Sequence, residues 1–144
     1  MKYLLDTCLV SELVKPRPNS AVANWVGAQP EFNLFLSVLT LGELRRGVER
    51  LPDGRKRVRL TNWLDDDLKL RFSGRLLPID EEVVECWGIV SARAMAKGLA
   101  IPVIDGLIAA TALVHGLTVV TRNVADMQAS GVLLFNPWSP TSMS

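Results

Sequence analysis

Histidine is almost missing from this 144-residue chain, with His115 the only one. A single imidazole excludes a catalytic histidine pair and any zinc site that needs two histidines. Cysteine is nearly as scarce. Cys8 and Cys86 form neither a CxxC pair nor a metal-ligand spacing, which reads as two reduced thiols in a cytosolic protein. Long apolar runs are absent as well. No window approaches the roughly 20 apolar residues that span a bilayer, and Asp6 and Glu12 interrupt the opening MKYLLDTCLVSEL too early for a signal peptide. A soluble, cytoplasmic protein without a membrane partner is expected. No GxGxxG and no Walker lysine motif occurs, which disfavours a nucleotide cofactor.

What the chain does have is apolar mass, 49% of its residues, enough for one proper core. One domain is expected over residues 1–138, with a short frayed tail over 139–144. Runs of strand length occur at Tyr3–Leu5, Leu34–Leu39, Leu76–Ile79, Leu117–Val120 and Val132–Phe135. Helical spacing fills the stretches between them. In DEEVVECWGIVSARAMAKG, residues Val83, Val84, Trp87, Val90, Ala94 and Met95 form one stripe with a period near 3.6. Strands alternating with helices imply parallel pairing through right-handed crossovers. The strands are continuously apolar, as suits a sheet covered on both faces. The fold class is α/β, in three layers.

That topology turns scattered acids into a candidate site, because ligands of an open parallel sheet bind beyond the carboxyl ends of its strands. Asp6 directly follows the first strand. Glu43 follows the second, on the opening turn of the next helix. Asp126 lies in the loop after the fourth. Asp105 opens the helix that runs antiparallel into that fourth strand, so it reaches the same edge. Singly, each acid has a structural account: Asp6 and Asp105 as helix caps, Glu43 as a first-turn acid, Asp126 as a loop acid. Together they occupy each expected rim position. Such a cluster suits Mg²⁺ or Mn²⁺, which take oxygen ligands and serve phosphodiester hydrolysis. His115 falls at the far end of the same helix, near its C-terminal carbonyls.

Net charge is only +1, but between Arg45 and Arg59 seven basic residues face two acids, followed by Asp65, Asp66 and Asp67. Either this stretch is a solvated helix face, or Arg45, Arg46, Arg55, Lys56 and Arg57 hold an RNA backbone beside Glu43. Four tryptophans, Trp25, Trp63, Trp87 and Trp138, are many for the length. NSAVANWVGAQ and the helix around Trp63 are expected to leave apolar surface for an oligomer. Competing readings are a phosphatase using Asp6 as nucleophile, a binding module, and a scaffold without chemistry. Cys8 occupies the position where such a phosphatase would want a second acid.

The segments YLLDTCLVSEL, SVLTLGELRRGVERL, IPVIDGLIAATALVHGLTVVTRNVADM and GVLLFNPW, in this order, resemble the PIN-domain family, particularly VapC-type and FitB-like toxins of bacterial toxin–antitoxin pairs. The resemblance implies a five-stranded parallel sheet in the order 3-2-1-4-5. It implies a Mg²⁺-dependent endoribonuclease, with Mn²⁺ able to substitute, that leaves a 5′-phosphate and a 3′-hydroxyl. The family's acidic quartet falls on Asp6, Glu43, Asp105 and Asp126. Thr7 and Thr121 fall where hydroxyls orient ligands or bind phosphate, and Asn123 where it orders the loop aiming Asp126. The partners implied are a cognate antitoxin, a second copy in a two-fold homodimer, higher oligomers with the antitoxin, and operator DNA reached only through it. An alternative main role is as a subunit of that DNA-binding repressor complex. Cys8 stands where the family pattern has Asn, and Met127 where an aromatic is usual. These departures imply a looser turn at Asp6 and a mobile Asp126 loop.

Overall fold

Each strand sends alternate side chains to opposite faces, and here both faces are covered. The computed structural model describes residues 1–139; of the expected tail only Ser139 falls among them, so its fraying lies outside the described residues. The elements are β1 (Tyr3–Leu5), α1 (Thr7–Leu13), α2 (Ser20–Ala28), β2 (Leu34–Ser37), α3 (Val38–Glu49), α4 (Arg55–Asn62), α5 (Lys69–Arg71), β3 (Leu76–Leu77), α6 (Glu81–Ala96), α7 (Val103–His115), β4 (Thr118–Val120), α8 (Val124–Met127) and β5 (Leu134–Phe135). A π-helical stretch, Trp63–Leu68, joins α4 to α5.

The strands form one parallel sheet in the order β3-β2-β1-β4-β5, as expected. Central β1 pairs Leu4 with Phe35 on one side and with Val119 on the other. The side-chain period of two then divides the core. Leu5, Leu34, Leu36, Val120 and Phe135 meet Leu9 and Val10 of α1, Val22 and Val26 of α2, and Phe72 on one face. Leu4, Val119 and Leu134 meet Ile108, Ala109 and Ala112 of α7 on the other, with Met127. Among the described residues no helix is long and apolar enough to cross a membrane.

The strands are shorter than the apolar runs suggested. Leu34–Leu39 stops at Ser37, whose Oγ accepts from the Leu39 N–H at 3.1 Å and begins α3. Leu76–Ile79 stops before Pro78, which has no N–H to offer a ladder. Asp80 caps α6 by accepting from the Val83 N–H at 3.0 Å, and Gly116, at φ 65°, closes α7.

Two expectations about apolar surface need correction. On α6 only Val83, Val90 and Ala94 of the stripe are buried; Val84 is 45% and Met95 72% exposed. The buried residues lie seven and four apart along one line, and Val84 and Met95 each sit one position around from it. The tryptophans are also not the exposed apolar mass. Trp25 packs edge-on against Tyr3, ring centres 4.8 Å apart, and tilted against Phe135 at 5.2 Å. Trp63 and Trp138 lean on the same core. Exposed apolar side chains do flank Trp63, at Val58 and Leu70, and a second group lies at Val84, Ile89, Met95, Leu99 and Val103, on α6 and its connection to α7.

Candidate active site at the carboxyl edge of the sheet

Strand order reverses at β1, where β2 lies on one side and β4 on the other, and the edge beyond that switch holds the acids. Asp6 leaves β1 with its N–H donating to the Val120 carbonyl at 3.0 Å. It then caps α1, Oδ1 accepting from the Thr7 N–H at 2.8 Å. Its Oδ2 accepts from the Thr121 hydroxyl at 2.8 Å and from the Cys8 thiol at 3.7 Å. Asp6 is thus both an N-cap and a site acid. It is only 4% exposed, and desolvation pushes its carboxyl above the ordinary value despite the donors and with Glu43 adding to the rise.

Glu43 stands on the second turn of α3, not the opening one, so the helix dipole does not account for it. Thr7 Oγ1 donates to its Oε1 at 2.5 Å. Thr40, fully buried, lies 3.3 Å from the same hydroxyl. Asp105 is the third residue of α7, whose cap position is Pro102, so Asp105 is not a cap. Burial raises its pKa to about 6, reinforced by the charges of Asp6, Asp126 and Glu43 in that order. Asp105 thus lies within electrostatic reach of each of the other three acids. Asp126 is exposed on α8, its N–H donating to the Asn123 carbonyl at 3.1 Å.

Thr7 and Thr121 each fix one carboxylate through a hydroxyl hydrogen bond. Asn123 orders the loop through its backbone: its N–H donates to Thr121 Oγ1 at 3.0 Å, and its side chain makes no cap bond. At the two departures from the family pattern neither side chain is loose. Cys8 ties the turn together, accepting from the Arg122 N–H at 3.5 Å while its thiol faces Asp6 and Thr121. Burial and the Asp6 charge push that thiol's pKa up, keeping it protonated. Met127 is fully buried in the second core cluster and anchors the Asp126 segment. Thr40 and Cys8 are the site residues that sequence reasoning missed as contributors. The spacing LTLGEL, with a polar residue three positions before Glu43, was the available signal for Thr40. His115 is exposed at the last position of α7, away from the acids.

The donors are all hard oxygens. Among the described residues none of the four acids pairs with a lysine or arginine, and no group of three or more Asp, Glu, Cys or His side chains stands close enough together to hold a metal ion. Of the four, Asp6 is buried, Glu43 and Asp105 are half-buried and Asp126 is exposed.

The basic segment divides. Arg45 pairs with Asp65, and Arg57 pairs with Glu49 at 2.6 Å and Asp53 at 3.1 Å. Arg55 is exposed at the start of α4. Arg46 borders a shallow pocket that includes Glu43. Lys56 borders a groove of about 280 Å³ that starts at Thr7 and Glu43 and is walled by Leu44, Val48, Leu60 and Trp63. Arg59, overlooked among the candidate contacts, borders the same groove.

A model of the PIN domain matches residues 3–125, and the chain belongs to that family. It is 39% identical to the VapC ribonuclease Y4jK of Sinorhizobium fredii across 95% of this chain and 98% of that protein. It is 40% identical to Toxin FitB of Neisseria gonorrhoeae across 94% of this chain and 97% of that protein. The solved structure of FitAB bound to an IR36 DNA fragment matches with a TM-score of 0.90 and 38% identity, covering 94% of this chain and 95% of that one.

The raised Asp105 pKa has a definite sign for stability. Below its ordinary value of 3.8 the group is neutral folded and unfolded, and its burial is uncharged. As pH rises through about 6 the folded state must accept the charge, and that stability is lost. In metal-free buffer, Asp105→Asn should therefore raise the melting temperature at pH 8 and leave it nearly unchanged at pH 4. Equal shifts at both pH values would contradict the electrostatic account of the cluster.

Proposed function

We propose that the protein is a Mg²⁺-dependent endoribonuclease toxin of a toxin–antitoxin pair, with Mn²⁺ able to substitute. The observation that carries this reading is the meeting of Asp6, Glu43, Asp105 and Asp126 at one sheet edge without a cationic partner among the described residues. Oxygen-only donors in mutual repulsion fit a hard divalent cation, and an open edge leaves coordination positions for water and phosphate. Bound there, the ion would supply an activated water and charge stabilisation for phosphodiester hydrolysis. Asp6 and Asp105 are the principal ligands, with Glu43 and Asp126 completing the set. Thr121 and Thr7 hold the Asp6 and Glu43 carboxylates in fixed rotamers through their hydroxyls. Relatives carrying the name ribonuclease or toxin over nearly the full chain support the same class.

RNA cleavage should require Mg²⁺ or Mn²⁺ and cease with chelator. Asp6→Asn and Asp105→Asn should each lower kcat by on the order of 10²-fold or more while the fold survives. Asp67→Asn, in the exposed acidic run, serves as control and should match wild type. Wild-type rates in both site variants, in preparations free of contaminating nuclease, would end the reading.

RNA contacts are assigned to Arg46, Lys56 and Arg59 beside Glu43, with Arg55 further out; Arg45 and Arg57 are occupied by acids. Each phosphate contact contributes about −0.7 to the slope of log affinity against log salt for single strands. Lys56→Gln and Arg59→Gln should each flatten that slope by about this amount, and Arg45→Gln should not. A slope unchanged in the first two returns the segment to ordinary surface.

FitAB bound to DNA favours a second role alongside the first, as the toxin subunit of a repressor complex that reaches operator DNA through an antitoxin. The apolar groove beginning at Glu43 suits the antitoxin's apolar segment. An arginine following that segment would neutralise Asp6, Asp105 and Asp126. Exposed Val84 and Met95 suit a homodimer face, with higher oligomers formed on antitoxin binding. Leu60→Asp should weaken capture of the small protein encoded beside this gene while sparing RNA cleavage. Light scattering should give a dimer mass that Met95→Lys reduces to a monomer. Unchanged capture or unchanged mass would remove the respective surface from the assembly.

A further inference from the structure

Gly106 follows Asp105 on the first turn of α7 and is buried, and the place its side chain would take is occupied. A Cβ there would stand 3.1 Å from both Cδ1 and Nε1 of Trp87, and 3.5 Å from Cγ2 of Ile101. At no other glycine of the described residues would a Cβ meet an atom within 4 Å. Glycine inside a helix is unfavourable relative to alanine. Gly106 has no left-handed φ to justify it, so the close seat of the indole is the physical reason for its presence.

That seat adds to the packing of Ile104 on the second core cluster in locating the turn. No side chain caps α7; its first turn closes through the Gly106 N–H to the Pro102 carbonyl at 2.8 Å. α6 and α7 form the most extensive helix–helix packing of the described fold, and Trp87 of α6 reaches this turn at Gly106. A shift of the turn carries Asp105 with it, relative to Asp6 and Glu43 on separate elements.

We propose that Trp87 is a positioning residue: its indole, seated on the bare Cα of Gly106, sets where the first turn of α7 stands and hence where Asp105 meets the other three acids. The consequence for cleavage rests on the ribonuclease reading. A purely structural contact would alter melting temperature alone.

The test compares wild type, Gly106→Ala, Trp87→Phe, the double variant, and Asp105→Asn as reference. A new Cβ at 3.1 Å forces a movement of a few tenths of an ångström, and about 1 Å of misplacement can cost on the order of 10²-fold in rate. Gly106→Ala should therefore lower kcat by about ten-fold with KM for RNA unchanged, since the assigned RNA contacts Arg46, Lys56 and Arg59 lie on α3 and α4. Mn²⁺ affinity, measured by calorimetry without RNA, should fall by a similar factor. The double variant should recover most of both, because the smaller ring clears the Cβ. Wild-type kcat and Mn²⁺ affinity in Gly106→Ala, or no recovery in the double variant, would overturn the proposal. If Gly106→Ala does not fold, Trp87→Phe decides: reduced kcat and Mn²⁺ affinity at constant KM support it, and wild-type values overturn it. Wild-type cleavage equal to that of Asp105→Asn would instead overturn the ribonuclease reading, and the Mn²⁺ affinities would then decide the positioning role alone.

Discussion

Mutual repulsion among carboxylates is the constraint around which this molecule is organised. Asp6, Glu43, Asp105 and Asp126 come from four different elements, and folding forces their charges toward one another. The cost is visible in Asp105, held near pKa 6, and in Asp6, raised by burial. No lysine or arginine among the described residues relieves it by ion pairing. A fold that accepts this expense must recover it elsewhere, and the double-sided apolar core is where it does so.

The sheet supplies both the recovery and the geometry. Parallel strands covered on two faces bury residues of β1, β2, β4 and β5 and half-bury both residues of β3, and β1 at the centre delivers Asp6 at the switch in strand order. Helices α1, α3 and α7 all begin at this same edge, so their N-terminal dipoles partly offset the negative charge. Neutral donors complete the support: Thr7 for Glu43, and Thr121 with Cys8 for Asp6. These hydroxyl and thiol groups aim the carboxylates without neutralising them, which keeps the edge open to a cation.

Positive charge is handled with a comparable division. Acids beside the basic run remove some of its members from the surface field, Arg45 through Asp65 and Arg57 through Glu49 and Asp53. Lys56 and Arg59 remain along the apolar groove that opens at Glu43. A polyanion and a partner peptide would therefore contend for overlapping surface.

The sequence by itself determined the fold class and the four acids, because strand-length apolar runs alternating with helical spacing admit few topologies, and a parallel sheet sends every post-strand residue to one edge. The family resemblance carried by its motifs also marked Thr7 and Thr121. Tertiary structure alone decided how those residues act. Glu43 moved from the first helical turn to the second because Ser37 caps α3 earlier than the apolar run suggested. Cys8 and Met127 became supports rather than weak points, since their partners Arg122, Thr121 and the α7 core are distant in sequence. Which cations face the groove, and that Trp87 sits on Gly106, depend on helix–helix packing. Periodicity specifies which face of one helix is apolar, but the meeting of two helices is a property of both surfaces at once, and no single stretch of sequence contains it.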